Sequence, residues 1–343
     1  MHDATLRPGL VLAEELHEEE RGERGREAGP EEAGPAVVAG IVGRCPAMRR
    51  LFDAMRRVAP SDLPVHVFGE TGTGKEKVAR ALHQLSPRRA RPFVALNASS
   101  LSDELLESEM FGHARGAFTG AFTARAGHVA EAEGGTLFID EVASLSPRGQ
   151  AKLLRFLQER EYRRLGETAL RRANVRILSA ANVDVEREVA AGRFRCDLLY
   201  RLTGETLSLP PLRERGSDVL ELAHRLLGMA AEREGIRSPR LGPDTIAALA
   251  AYSWPGNVRE LENEMNRLAL HAKQGPLGRE HLSPRITAAP SRRTLPEARL
   301  AFERDYLGQA LERNGGRRAR TAGELGITRQ ALLSKMKRLG LSL

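Results

Sequence analysis

Cysteine is nearly absent: the 343 residues hold two, Cys45 and Cys196, far apart and with no Cys-x-x-Cys or Cys/His cluster beside either. That excludes a disulfide-stapled scaffold and a structural zinc site. Long apolar runs are missing too. A stretch such as Ile246 to Tyr252 falls far short of the ~18 residues that suggest a membrane span. The first residues do not follow the basic, apolar, small-residue order of a secretory signal and instead run into Glu14, Glu15, Glu18, Glu19 and Glu20. The expected compartment is therefore the cytoplasm, with no membrane partner.

What is present is the composition of an ordinary globular protein, 41% hydrophobic and 29% charged. At ~150 residues per domain the length suits about two domains and a small third. The formal net charge of +8 is unevenly spread. Residues 1–35 carry four arginines against ten acids, whereas residues 291–343 carry twelve lysines or arginines against five acids. A basic end of that kind suits a polyanion, nucleic acid first.

Residues 1–40, rich in Glu, Arg, Gly and Pro, read as an acidic, disordered or loosely helical arm. Five apolar runs follow, alternating with helical patterns: Val65 to Phe68, Phe93 to Leu96, Thr136 to Ile139, Val175 to Ala180 and Thr206 to Leu209. This alternation predicts a mostly parallel α/β sheet covered on both faces, over residues 41–211. After Pro210-Pro211 the strands stop, and helices such as Asp218 to Glu232 and Asp244 to Ala251 make a helical subdomain over 212–285. A Pro-, Arg- and Ser-rich linker at 286–294 leads to a last helical unit, 295–343.

Gly69-Glu70-Thr71-Gly72-Thr73-Gly74-Lys75 follows the first apolar run and opens a helix, the context a P-loop requires. Its glycines let backbone N–H groups curl round phosphate oxygens, the helix N-terminus adds its dipole, and Lys75 reaches the β and γ phosphates. Position 76 is Glu, where most P-loops place a hydroxyl on magnesium. The strand Leu137-Phe138-Ile139 ends in Asp140-Glu141, a carboxylate pair suited to Mg2+ and to the water that attacks ATP.

Between these motifs lies Gly116-Ala117-Phe118-Thr119-Gly120-Ala121. With it the chain resembles the bacterial enhancer-binding proteins, the AAA+ activators of sigma-54 RNA polymerase, over about residues 41–343. GETGTGKE is similar to that family's usual GESGTGKE, so Glu76 is normal within it. The resemblance implies an AAA+ P-loop fold with a helical lid and a ring, dimer to hexamer. It makes Phe118 and Thr119 the contact to the sigma factor, and Gly-bounded backbone around an unpaired Phe118 suits a loop that swings outward. Residue by residue, it further implies that Asn97 switches Glu141 and that Arg195 and Arg201 are fingers reaching a neighbour's γ-phosphate. Arg259 and Asn182 become sensors of the bound nucleotide. Ala180-Ala181-Asn182 stands where Ala-Thr-Asn is common, so the first sensor lacks its hydroxyl.

At the basic end, an apolar stripe of Leu300, Tyr306, Leu307, Ala310 and Leu311 stops at Asn314-Gly315-Gly316. A short helix near Ala319 to Leu325, a Gly326 turn and a third helix capped by Thr328 make a helix-turn-helix. Leu332, Met336 and Leu339 face inward on the third helix, leaving Arg329, Gln330, Ser334, Lys337 and Arg338 outward. Thr328 to Gln330 stand where base edges are read; the cations suit phosphate. The segment resembles the Fis-type domain of these activators, departing at Leu333-Ser334, where Tyr-Arg is frequent.

The expectation is a sigma-54-dependent activator that binds enhancer DNA and hydrolyses ATP to remodel the closed polymerase complex, with control from a separate regulatory protein or from expression level. Two rivals stand beside it: a DNA-binding regulator whose vestigial site only binds nucleotide, and an AAA+ machine with another client.

Overall fold

The computed structural model describes residues 37–100, 102–271, 277–288 and most of 299–339. The arm before residue 37, the expected linker from 289 on, Leu300 and residues 340–343 lie outside the described residues. The fold begins at a pair of two-residue strands, Val37–Val38 against Ile41–Val42. Val37 and Val38, grouped with the arm by its composition, are thus part of the fold, and Val38 is buried.

All five apolar runs are strands: β1 (Val65–Phe68), β2 (Phe93–Asn97), β3 (Thr136–Asp140), β4 (Arg176–Ala181) and β5 (Glu205–Ser208). They form one parallel sheet in the order β5–β1–β4–β3–β2. Pairing carries β2 and β3 one residue beyond their apolar runs, to Asn97 and Asp140. The helices that matter below are α1 (Pro46–Val58), α2 (Lys75–Gln84), α3 (Asp103–Phe111), α4 (Pro147–Glu159) and α5 (Cys196–Leu202). Leu137, Ile139 and Ile177 pack with Leu106, Phe111 and Phe156 from α3 and α4 on one face. Their alternates Phe138, Leu178 and Ala180 are equally buried, because side chains alternate along a strand and α2 packs on the other face. This two-sided burial explains why the strands read as continuous apolar runs.

The core also buries polar groups, and the largest of them are hydrogen-bonded. Arg176 is fully enclosed and donates to the Ala59 and Val58 carbonyls at 2.7 and 3.0 Å. It thereby adds donors to carbonyls at the C-terminal end of α1, where a cation also suits the helix dipole. His66 on β1 bonds Ser179 of β4 at 2.9 Å. Burial, reinforced by Lys75, brings its pKa down to about 4.

The lid consists of α6 (Asp218–Arg233), α7 (Pro243–Ala251), α8 (Asn257–His271) and the short helix Pro284–Thr287. Its core centres on Trp254, fully buried among Leu261, Met265 and Leu268, with Nε1 donating to the Leu249 carbonyl at 2.9 Å. Asp218 accepts the Arg44 and Cys45 N–H groups at 2.8 and 3.2 Å, which ties the lid to the start of α1. In the C-terminal unit, α9 (Arg318–Glu324) and α10 (Arg329–Leu339) follow helical turns between 303 and 313. Leu332, Met336 and Leu339 pack on Leu307, Leu311 and Ala322, as their spacing implies.

Candidate active site

The segment from Gly69 to Gly74 leaves β1 and enters α2. Gly72 has φ +80°, and a Cβ there would come within 2.4 Å of the Gly256 carbonyl, so both backbone conformation and space require glycine. Lys75 is 6% exposed. Its Nζ donates to the Gly69 carbonyl at 3.0 Å and stands 3.5 Å from Glu141 Oε1. Glu141 itself has φ +54°, an unusual conformation for a side chain of its kind, imposed where β3 ends. Asp140 Oδ1 accepts the Glu141 N–H at 3.0 Å. Burial raises the Asp140 pKa above the usual carboxylate value; Lys75 opposes the rise and Glu141 adds to it.

Asn97 sits opposite Asp140 in the β2–β3 register. Its Oδ1 accepts the Ser99 N–H and hydroxyl at 2.9 and 2.8 Å, so it caps the turn after β2. Asn182 donates to Thr71 Oγ1 at 3.1 Å. At the sensor position Ala181 offers its carbonyl to the Gly69 N–H at 3.3 Å while its methyl is buried. Together Thr71, Gly74, Lys75, Asn97, Asp140 and Glu141 line a cleft of about 460 Å³, closed on the lid side by Arg259 and Glu262. It lies at the C-terminal ends of β1 and β3, where parallel sheets hold ligands. Glu76 reaches the rim, but Arg80 engages its carboxylate at 2.7 and 2.9 Å.

The residues that fasten the lid to the P-loop were not legible. Asn257, buried and at φ +54°, donates to the Glu70 carboxylate and the Thr71 carbonyl, both at 3.1 Å, and accepts from the Leu212 N–H at 2.8 Å. Arg213 grips Glu70 at 2.6 and 2.8 Å, holding that carboxyl below its usual pKa. Arg215, whose burial lowers its pKa to about 10, donates to the Thr73 carbonyl. The only local signal was the Gly-Asn pair at 256–257, and no spacing reveals that it meets a loop far upstream.

The GAFTGA segment projects between α3 and β3 from a base in which Gly112–His113 pairs with Arg125–Ala126. Gly116 and Gly120 have φ +80° and +102°, and the Gly116 N–H donates to the Ala121 carbonyl at 2.8 Å. Ala117 rests against Gly166 of the neighbouring hairpin, and Thr119 is exposed. Phe118, expected to be unpaired, is half-covered: its ring meets His113 edge-on at 5.1 Å. A bare ring on a tight loop gains by packing on the nearest aromatic.

Three family models cover this architecture in order. The sigma-54 interaction domain matches residues 41–208, an AAA+ ATPase lid domain 213–298, and a bacterial regulatory protein of the Fis family 299–339. The transcriptional regulatory protein ZraR of Klebsiella oxytoca is 45% identical over 309 residues, covering 89% of this chain and 70% of that protein. The Nif-specific regulatory protein of Azotobacter vinelandii is 46% identical over 310 residues, with 88% and 59% covered. The chain belongs to the sigma-54-dependent transcriptional regulators. Among solved structures, NtrX from Brucella abortus in complex with ADP aligns with a TM-score of 0.67 at 36% identity, over 88% of this chain and 69% of that one. The ATP complex of the same protein aligns equally well, at 37% identity.

Two arginines singled out in this sigma-54 regulator stand away from its own cleft. Arg195 is held by Asp197 through two bonds of 2.7 and 3.0 Å. Arg201, exposed on α5, forms no ion pair among the described residues. In the helix-turn-helix, Thr328, Arg329, Gln330 and Ser334 are exposed, and Thr328 Oγ1 caps α10 by accepting the Ala331 N–H. The Lys337 side chain lies outside the described residues. Arg338, expected to be free for phosphate, is engaged: it pairs with Glu303 at 2.7 Å, and Lys335 reaches the same carboxylate at 3.3 Å. Among the described residues no cluster of three or more His, Cys, Asp or Glu could hold a metal by itself, and no helix is long and apolar enough to cross a membrane.

Proposed function

We propose that this regulator binds enhancer DNA through residues 295–343, assembles its ATPase core (41–211) and lid (212–285) into a ring in the cytoplasm, and uses ATP hydrolysis to remodel closed sigma-54 polymerase. The observation that carries this reading is one α/β domain holding both the Lys75–Asp140–Glu141 cleft and the GAFTGA loop. The ADP and ATP complexes of NtrX support a nucleotide in the cleft.

In this reading the amides of Gly69 to Gly74 and the Lys75 ammonium hold the phosphates. An incoming phosphate competes with Glu141 for Lys75, which frees the Glu141 carboxylate to orient the attacking water; Asn97 positions it. Asp140 fits Mg2+: it is a hard oxygen donor with one oxygen engaged by an amide, and that ion commonly takes one or two carboxylates beside phosphate oxygens and water. When bound, the ion would offset phosphate charge. Glu76 adds no ligand, because Arg80 occupies it. Arg195 and Arg201 act on the γ-phosphate of the adjacent subunit, while Asn182 and Arg259 register the nucleotide from within. Gly116 to Ala121 contact sigma-54. Thr328, Arg329 and Gln330 read bases, with Ser334, Lys337 and Arg338 beside the backbone.

The test is co-elution of purified protein with sigma-54 in ADP plus a metal-fluoride mimic of the transferring phosphate, against ADP alone. A complex seen only with the mimic is the expected result. Hydrolysis without a complex points to another client. If neither appears, the chain is a DNA-binding regulator that holds nucleotide as a ligand, the reading for which Ala181 leaves room.

A further inference from the structure

We propose that Phe122 is a second aromatic contact to sigma-54, created by a four-residue duplication within the loop. The inference rests on the reading of that loop as the sigma-54-binding element. Residues 116–123 read Gly-Ala-Phe-Thr-Gly-Ala-Phe-Thr, so Gly120 and Phe122 repeat Gly116 and Phe118 four places on. Both glycines have positive φ, and a Cβ at either would meet nothing within 4 Å. Glycine is needed at both for backbone conformation rather than for room, so the repeat extends to the chain's shape.

The two phenylalanines differ in cover. Phe118 is 43% exposed and leans on His113; Phe122 is 83% exposed, the most of any large hydrophobic side chain among the described residues, and has no ring partner among them. Its position is set by the backbone around it. The Phe122 N–H donates to the Gly120 carbonyl at 2.9 Å, and the preceding Ala121 is buried, its N–H on the Phe118 carbonyl at 3.0 Å. Ala121 therefore works as a pin between the rings, with the second ring held in water.

A single exposed aromatic on a protein surface needs no explanation. Here the ring shares a hydrogen-bonded loop with the residue already assigned to the partner, and it stands largely uncovered among the described residues. The occupant this arrangement suits is an apolar cleft on sigma-54 that accepts Phe122 in addition to Phe118. An aromatic seated in such a cleft is the usual kind of residue that dominates an interface.

Binding of labelled sigma-54, followed by anisotropy with the full chain in ADP and metal fluoride, tests this directly. Phe122→Ala should weaken binding about tenfold or more, as loss of a buried aromatic anchor does, while Phe122→Trp restores it. The introduced tryptophan should also shift its emission to the blue on complex formation, after subtraction of the parent's Trp254 signal. Parental binding by Phe122→Ala, with Thr119→Ala binding lost, would overturn the proposal and leave the loop reading intact. If the parent itself fails to bind, the loop reading fails and the proposal falls with it.

Discussion

Asp140 and Glu141 occupy costly positions at the edge of the core. One is a carboxylate drawn out of water at the end of a buried strand, the other a non-glycine residue in left-handed conformation. Such backbone costs on the order of 1–3 kcal/mol and persists where its surroundings enforce it. The raised Asp140 pKa means the folded protein holds that proton more tightly than the unfolded chain. Its ionisation therefore lowers stability as pH rises, and the penalty is fully present at neutral pH. Asp140→Asn should accordingly raise the melting temperature of the nucleotide-free protein at pH 7.5, with the gain shrinking as pH falls toward 4, while ATP turnover is lost. Calorimetry across that range checks the sign; a neutral-pH loss of stability would contradict it. The sequence disclosed both carboxylates because they terminate an apolar run. It did not disclose that Lys75 rests on Glu141, nor that Asn97 turns its oxygen to Ser99, because side-chain direction at a strand end is settled by groups from other strands.

At the scale of elements, helix α10, proposed to read DNA, is partly neutralised from within. Glu303 takes both Lys335 and Arg338, and these pairs hold its carboxyl below the usual pKa. Glu303→Gln should free two cations for the DNA backbone. Affinity for duplex DNA should rise, and the plot of log affinity against log salt should steepen by about one to two, since each phosphate neutralised adds about 0.9 to the slope. An anisotropy titration over a salt series measures this; an unchanged slope would mean that Arg338 and Lys335 stay off the phosphates. Elements were the most legible level of this chain. Two-sided burial wrote five strands as apolar runs, and Leu332, Met336 and Leu339 marked the inner face of α10. Junctions between elements were illegible. Asn257, Arg213 and Arg215 join the lid to the P-loop through bonds to backbone carbonyls and to Glu70, contacts that leave no periodic trace. Glu303 was hidden for the same reason, its partners lying two helices away.

At the scale of the whole molecule, the arginines assigned to catalysis are not among the residues lining the cleft of their own chain, so under the proposed function a complete site would take two copies. Arg201→Ala should lower turnover by about 10³-fold or more if it acts across the interface as a finger in trans. Mixing it with Asp140→Asn offers a sharper check. In a ring of head-to-tail contacts at equal mixing, about a quarter of interfaces would pair an intact cleft with an intact finger. Inactive proteins should then regain up to that share of parental ATPase on mixing. No recovery, with mixed assemblies verified, would place Arg201 outside the reaction.

The order of elements from Asn97 to the projecting loop gives the ATPase domain a mechanical character. The Asn97 cap is followed by the short turn Ala98–Ser100 and, from Asp103, by α3, whose far end, Phe111, abuts the hairpin base at Gly112. A helix of nine residues is about 13 Å long at 1.5 Å per residue. A tilt of some ten degrees about its inner end thus carries the loop's base roughly 2 Å, several times the displacement needed to break one hydrogen bond beside the cleft. Under the proposed function the helix would act as a lever with its inner end near the cleft, and its length would set the gearing between chemistry and reach. One added turn of α3 would lengthen the stroke and, for the same work, lessen the force delivered at the tip.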